Sequence, residues 1–280
     1  MIRCGLIGAG IQQSLSPALH TGEAVAQGLK LEYRLIDMDL LGVGVDALPR
    51  LVAEAKQGGF HGLNITYPCK QAVMPLLDDI ADEARAIGAV NTVVIAAGRL
   101  TGHNTDGPGW GWGFRRALPE ADLSRVVLLG AGGAGSACAD AVMRQGVGQL
   151  VVVDQEISRA AALAGRLNDQ FAAGRASAEG DIAAAMQGAT GLIHATPVGM
   201  AKLPGMPLPG HLLKPSMWVS EVVYVPLETE LLKAARRAGC ATADGGHMNV
   251  GQGTRCFRLF TGREADVARM DAHFRRLVGG

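Results

Sequence analysis

The sequence lacks a charge bias. Its 26 Lys and Arg residues balance 26 Asp and Glu, so the net charge near neutral pH is zero. Nothing in that balance invites a nucleic acid or an anionic membrane surface, and no run of like charge marks a solvated tail. Cysteine is sparse. Cys4, Cys69, Cys138, Cys240 and Cys256 are odd in number and scattered, without a C-x-x-C pair. That argues against a disulfide scaffold or a thiolate zinc site and suits a reducing, cytoplasmic setting. The seven histidines show no metal-ligand spacing, and no metal is expected. No apolar run is long enough to span a bilayer. The apolar start MIRCGLIGAG runs into SLSP without a cleavage pattern, so it reads as a first strand rather than a signal segment. Internal repeats and low-complexity stretches are missing as well.

What is present is a large apolar fraction, 48% of 280 residues against 19% charged. That is enough for two domains of ordinary size, each with its own core. The most informative stretch lies mid-chain. RVVLL (125–129) reads as a buried strand, followed by Gly130-Ala131-Gly132-Gly133-Ala134-Gly135 and a helical stretch, SACADAVMRQ. Glycine is common here, 39 residues, so a lone G-x-G-x-x-G would be weak evidence. Between a strand and a helix it has the context that a dinucleotide site requires. Gly130 permits the tight turn, Gly132 lets backbone N–H groups approach a pyrophosphate, and Gly135 lets helix and strand pack closely. A second strand, QLVVV (149–153), ends at Asp154. A carboxylate there accepts both ribose hydroxyls of an adenosine and repels a 2′-phosphate. Gln155 and Glu156 supply no cation for such a phosphate. The expected cofactor is therefore NAD, with NADP second.

The first hundred residues alternate strand signals (2–7, 32–36, 61–65, 92–96) with helix signals (17–27, 45–57, 79–87). Ser16 is expected to cap the first of these helices, with Pro17 in its first turn. The last 35 or so residues read as two helices, 248–260 and 264–277. The expected architecture is α/β. An N-terminal α/β substrate domain (1–106) is followed by a Rossmann-like dinucleotide domain (107–243). C-terminal helices (244–280) end the chain. A second glycine-rich exit, Gly8-Ala9-Gly10, has Asp37 and Asp39 downstream but lacks the third glycine. It reads as a strand exit leading to a ligand loop.

Four polar clusters stand out in the first domain: Ser14-Leu15-Ser16-Pro17, Asn64 to Lys70, Gly88 to Thr92, and Gly102 to Gly107. Singly, each has a bland reading as a cap, a turn or a solvated amine. Cys69 beside Lys70 is expected to be a small neighbour without a role, and Arg115-Arg116 a solvated helix face. In open α/β sheets, however, ligand groups gather in loops at the carboxyl ends of strands.

Taken together, these runs resemble the shikimate dehydrogenase family, including its quinate/shikimate branch. The resemblance rests on SLSP-x-x-H ending at His20, NITYPCK, GAVNTV, GHNTDG, GAGGAG, ATPVGM (195–200), VVYVPLETELL (222–232) and a terminal Gln252…Phe257…Phe260-Thr261-Gly262. It covers nearly the whole chain, and it implies that the C-terminal helices return to the first domain, since Gln252 must reach the substrate. It implies that Ser14 and Ser16 bind a substrate carboxylate, that Thr66, Asn91 and Gln252 bind ring hydroxyls, and that Tyr224 helps close the pocket. Lys70 and Asp106 are implied as the catalytic pair. Gly130 to Gly135, Asp154, Thr196, Val222, Gly245 and Met248 are implied on the cofactor side. The implied partner is a small molecule, shikimate, quinate or an analogue, and the implied assembly a monomer or homodimer.

The chain also departs from that pattern. Gln13, His194, Glu221 and Gly253 stand where many relatives carry His, Asn, Asp and Ala. The turn Asp154-Gln155-Glu156 replaces a phosphate-binding Asn-Arg-Thr type turn and points to the NAD-using branch. Ser16, where quinate specialists frequently have threonine, leans slightly towards shikimate.

The chemistry can be read without the family. Oxidising a secondary alcohol removes a hydride from carbon and a proton from oxygen, so the protein must supply a proton acceptor. A lysine serves only if desolvation lowers its pKa from about 10.4, and a neighbouring carboxylate opposes that shift. Asp106 therefore fits an orienting or relay role better than that of an activator. The rival readings are quinate or aminoshikimate dehydrogenation, a folate dehydrogenase of related fold, and a ligand sensor without turnover.

Overall fold

The computed structural model describes residues 1–279. The chain forms two compact units, one of Met1–Thr105 together with the chain from Val250 onward, the other of Asp106–Asn249. In chain order the first contains β1 (Ile2–Gly8), α1 (Ser16–Ala26), β2 (Leu31–Asp37), α2 (Met38–Leu41), α3 (Leu48–Gln57), β3 (Gly62–Ile65), β4 (Asp79–Ile80), α4 (Asp82–Ile87), β5 (Thr92–Ala96) and β6 (Arg99–His103). The second contains α5 (Asp106–Ala117), β7 (Arg125–Leu129), α6 (Gly133–Arg144), β8 (Gln149–Val153), α7 (Ile157–Gln170) and β9 (Ala176–Glu179). It continues with α8 (Ile182–Ala185), β10 (Gly191–His194), β11 (Trp218–Glu221), α9 (Glu230–Arg237) and β12 (Ala241–Ala243). Two helices, α10 (Gly245–Thr261) and α11 (Val267–Gly279), end the chain. The division between units falls inside α10, whereas the sequence places the change before Asp244.

The second sheet runs β12-β11-β10-β7-β8-β9, with every recorded pairing parallel. Its inner strands β7 (RVVLL) and β8 (QLVVV) are nearly continuous apolar runs because both faces are covered. Val126, Leu128, Leu150 and Val152 enter one core, while Val127, Leu129, Val151 and Val153 enter the other. The first sheet is mixed, in the order β2-β1-β3-β5-β6-β4. β1 pairs parallel with β2 and β3, and β5 runs antiparallel to both β3 and β6.

The structure corrects several local expectations. The segment 79–87 is not one helix: Asp79–Ile80 is a short strand beside β6, and helix begins at Asp82. Ser16 is the first residue of α1 rather than its cap, and its N–H donates to the Ser14 hydroxyl at 3.3 Å. Helix α5 carries Arg115 and Arg116 on its exposed face, as expected, although the glycines of DGPGWGWGFRRA lower its helix propensity. Packing overrides propensity there. A side-chain carbon at Gly113 would lie 2.8 Å from the His247 backbone, and Trp110 and Phe114 stack at 4.7 Å inside the core.

The last helix returns to α1 through a buried carboxylate. Glu23 accepts from Arg269 Nε (2.7 Å) and Nη2 (2.8 Å), from the Asp266 N–H (2.9 Å) and from the Gln27 amide (2.6 Å). Burial alone would raise the Glu23 pKa; the Arg269, Asp266 and Gln27 donors outweigh it and hold it below the ordinary value. Among the described residues no helix is long and apolar enough to cross a membrane.

His20 lies on the buried face of α1. Its ring stacks on Tyr33 at 5.2 Å and on Phe257 at 6.3 Å, and burial pushes its pKa down to about 4. Between about pH 6.5 and pH 4 the unfolded chain binds a proton there that the folded chain does not, so stability falls as the pH drops through that window. The contribution is full above the window, and its loss levels off below pH 4 at about 3 kcal/mol, from 1.36 kcal/mol per pKa unit. Urea unfolding at pH 7 and pH 4.5 should therefore show a drop that His20→Phe reduces. An equal drop in both proteins would place the acid sensitivity elsewhere.

Candidate active site

The pairing of the first sheet explains why the four polar clusters meet. The chain leaves β1, passes to β2 on one side and then to β3 on the other, which opens a switch point at the carboxyl ends of β1 and β3. The loops carrying Ser14, Ser16, Thr66 and Lys70 begin at those ends. β5 is antiparallel to β3, so Asn91, which precedes it, lies at the same edge. β6 is antiparallel to β5, so the run from His103 to Asp106 leaves from that edge too.

Backbone bonds tie these loops together. The Ala9 N–H donates to the Tyr67 carbonyl at 2.9 Å, Thr66 N–H to Ile7 at 3.0 Å, Val90 N–H to Lys70 at 2.8 Å and Asn91 N–H to His103 at 3.1 Å. Gly8 allows this approach, since a side-chain carbon on it would stand 2.3 Å from Thr66 Cγ2. The hydroxyls of Ser14 and Ser16 lie 3.2 Å apart, a pair suited to an anion's oxygens. Lys70 is half-buried. Asp106 opens α5 and is buried.

Asn91 is the centre of a polar knot. Its Nδ2 donates to the Thr105 hydroxyl at 2.9 Å, and its Oδ1 accepts the Thr105 N–H at 2.8 Å and the Thr92 hydroxyl at 2.9 Å. The sequence did not point to Cys256, which lies against this knot. Its Sγ is 3.0 Å from Asn64 Nδ2, 3.1 Å from the Thr92 and Thr105 hydroxyls and 3.4 Å from Gln252 Oε1. The available signal was its position one helical turn after Gln252. Asn64 also accepts from Tyr33 Oη at 2.7 Å. Burial raises the Cys69 pKa, and its sulfur sits 3.3 Å from that of Met38, which is the environment of an inert thiol.

The glycine-rich exit after β1 is closed by its own acid. Asp37 accepts from the N–H groups of Gly10 (2.9 Å), Ile11 (3.0 Å) and Asp39 (3.1 Å) and from the Gln12 amide (2.9 Å). Burial works to raise the Asp37 pKa, but these four donors prevail and lower it.

The second unit has its own switch point between β7 and β10, where Gly130–Gly135 follows one strand and Ala195–Thr196 the other. Gly130 takes a φ of +100°, and a side-chain carbon on it would fall 2.7 Å from the Ala195 carbonyl and 3.1 Å from Thr196 Cγ2. Gly135 lies over the Gly130 carbonyl, where a side-chain carbon would come within 1.8 Å. Gly132 differs. Its backbone is extended, with φ −74° and ψ −168°, and a side-chain carbon on it would meet no atom within 4 Å. An open position at the N-terminus of α6 fits a pyrophosphate, which needs room above backbone N–H groups.

Asp154 hangs over this turn, its Oδ2 accepting the Ala131 N–H at 2.7 Å and its Oδ1 the Glu156 N–H at 3.0 Å. The nearby cation in the first turn of α7, Arg159, pairs with Glu156 at 2.8 Å. Gly245 abuts the carbonyls of Val222 and Val223, at 2.5 and 2.4 Å from its side-chain position. Met248 points into the core of this unit, which Val222 also joins. Tyr224 is half-buried in the loop after β11. Among the described residues no group of His, Cys, Asp and Glu could hold a metal ion.

Comparison with known proteins places names beside this geometry. Residues 6–93 match the family model described as the shikimate dehydrogenase substrate binding domain. A "Shikimate dehydrogenase (NADP(+))" of Streptomyces avermitilis is 57% identical over 98% of this chain and 95% of its own. A "Quinate/shikimate dehydrogenase (NAD(+))" of Corynebacterium glutamicum is 48% identical, covering 98% of each chain. The solved quinate dehydrogenase from Corynebacterium glutamicum in complex with NAD superposes with a TM-score of 0.90 at 46% identity, over 98% of this chain and 99% of that one.

Two glycines separate folding from binding. Gly135→Ala should destabilise the protein by about 3 kcal/mol, the upper part of the range for overpacking, because the obstacle is backbone and cannot rotate away. Gly132→Ala should melt within a few degrees of the parent and lose at least ~10-fold in dinucleotide affinity, or ~1.4 kcal/mol. Thermal melts and fluorescence titration with NAD and NADP check both, and unchanged affinity in Gly132→Ala would remove the pyrophosphate from that turn.

Proposed function

This chain belongs to the shikimate dehydrogenase family, and on that premise we propose that it interconverts shikimate and 3-dehydroshikimate with NAD as its preferred cofactor. The observation that carries the substrate reading is the gathering of Ser14, Ser16, Thr66, Lys70 and Asn91 in loops at one edge of the first sheet. The paired hydroxyls of Ser14 and Ser16 suit a ring carboxylate. Thr66, Asn91 and Gln252 suit ring hydroxyls, and Tyr224 is also assigned to the substrate.

The NAD reading is supported by the carboxylate over the glycine turn. Asp154 holds its place through the Ala131 and Glu156 N–H groups while keeping lone pairs for ribose hydroxyls. Arg159, the nearby cation that would welcome a 2′-phosphate, is engaged by Glu156. Thr196, Val222, Gly245 and Met248 are assigned to the nicotinamide side.

NAD held at the glycine turn would supply the hydride acceptor for the substrate's C3. The chain's own work is to hold the alcohol and manage its proton. Lys70 stands on a backbone pinned by the Val90 N–H and is assigned as the proton acceptor. Asp106 is assigned to orient the hydroxyl and to stabilise the charged amine, since a carboxylate beside a lysine favours the protonated form.

Steady-state rates with shikimate and quinate, each with NAD and NADP, test the whole reading. Shikimate with NAD should give the highest kcat/KM; a higher value for quinate would move the substrate, and one for NADP would move the cofactor. Asp154→Ala should raise the KM for NAD by about 10-fold, the loss of one charge-assisted pair of bonds, and narrow the preference over NADP. Lys70→Ala should lower kcat by at least ~100-fold, in the range for losing a general acid–base group. Near-normal turnover by that variant at saturating substrate would refute the assignment.

A further inference from the structure

A chain of buried polar groups runs beneath the two loops that flank the dinucleotide turn. His194, at the end of β10, and Glu221, at the end of β11, face each other across adjacent parallel strands with side chains fully buried. His194 Nδ1 lies 2.8 Å from Glu221 Oε1. The same oxygen accepts the N–H groups of Val222 and Val223, both at 2.9 Å, and Glu221 Oε2 accepts the Thr229 hydroxyl at 3.0 Å. Thr229 in turn caps α9 by accepting the Leu232 N–H at 3.2 Å. On its other side, His194 Nε2 is 2.5 Å from Thr196 Oγ1.

The direction of these bonds follows from the donors. A carboxylate only accepts, so His194 Nδ1 carries the proton that points at Glu221. In the neutral ring, Nε2 is then an acceptor, and Thr196 must donate its hydroxyl proton to it. The Thr196 oxygen also takes the Val198 N–H at 3.3 Å. One lone pair of that oxygen therefore remains for a further donor. The Thr196 methyl group stands against Gly130, 3.1 Å from that glycine's side-chain position, so Thr196 itself lies at the rim of the glycine turn.

We infer that His194 is a positioning residue of the dinucleotide site: held by Glu221, it takes the Thr196 proton and fixes that hydroxyl as an acceptor for an N–H or O–H donor on the nicotinamide riboside half of the cofactor. The inference rests on the proposed use of a nicotinamide dinucleotide at this turn. Glu221 does a second job in the same network, since its bonds to Val222 and Val223 set the backbone on which Gly245 rests.

The test is a double-mutant cycle read by binding. Dissociation constants for NAD and NADP are measured by fluorescence titration, and KM and kcat by steady-state assay, for the parent, His194→Asn, Thr196→Val and the pair. Each single change should weaken dinucleotide binding by about 5- to 10-fold, the range for one hydrogen bond. The pair should bind no worse than the weaker single, because both remove the same contact. Thr196→Ser, which keeps the hydroxyl, should restore affinity, and kcat should change less than KM throughout. Additive losses, or a lowered melting temperature with unchanged affinity, would overturn the inference.

If His194→Asn fails to fold, Thr196→Val against Thr196→Ser still decides, since equal affinity in those two removes the hydroxyl's role. Repeating the titrations with 3-acetylpyridine adenine dinucleotide, which lacks the amide N–H, distinguishes the donors. A vanishing effect assigns the carboxamide, and a persisting one a ribose hydroxyl. A parent that binds neither dinucleotide sinks both this inference and the proposed reaction. One that binds but oxidises neither shikimate nor quinate sinks the reaction alone.

Discussion

Each unit depends on one pairing constraint: a strand held between two parallel partners, one that follows it directly and one reached after the chain reverses direction across the sheet. β1 sits between β2 and β3, and β7 between β8 and β10. At such a strand the outgoing loops diverge to opposite faces, leaving backbone N–H groups and small side chains at an open edge. The clusters around Ser14, Thr66, Lys70 and Asn91 in the first unit lie at such an edge. So do the glycine turn and Thr196 in the second.

The two units solve the same local problem in opposite ways. Both have a glycine-rich exit from the central strand and an acid at the end of the next strand. In the first, Asp37 gathers the N–H groups of Gly10, Ile11 and Asp39 with the Gln12 amide, and so stiffens the approach to Ser14. In the second, Asp154 holds the Ala131 and Glu156 N–H groups, while Gly132 keeps open space above it. A missing third glycine separates a loop closed on its own acid from a turn with room for a phosphate. Buried polar knots support both edges: Asn91, Thr105 and Cys256 beneath one, His194 and Glu221 beneath the other. Such knots fix hydroxyl and amide orientations that exposed loops would leave to rotation.

The sequence made much of this legible. Apolar runs such as RVVLL and QLVVV declared buried parallel strands, because a strand covered on both faces carries no alternation. The glycine turn declared its context for the same local reason. Less was visible where packing overrode composition. The glycines of α5 lower its helix propensity, yet Gly113 admits the close approach to the His247 backbone that packs the helix in place. The cap position of α1 fell one residue earlier, on Leu15, whose apolar side chain cannot cap, while the Ser14 hydroxyl accepts the Ser16 N–H. Cys256 carried no signal beyond its spacing from Gln252, and the pairing of His194 with Glu221 joins residues distant in the chain.

Sequence alone therefore determined the kinds of chemistry available: serine hydroxyls ahead of a helix, an amine after a proline, an acid at the end of a strand, glycines where backbone must come close. Local covalent geometry and hydrophobic periodicity suffice for that, because they act over a few residues. Tertiary structure decided which of these groups share an edge and which way each hydrogen bond points. Strand order sets the first, and the second depends on which donors and acceptors burial leaves together, neither of which is written in any one segment.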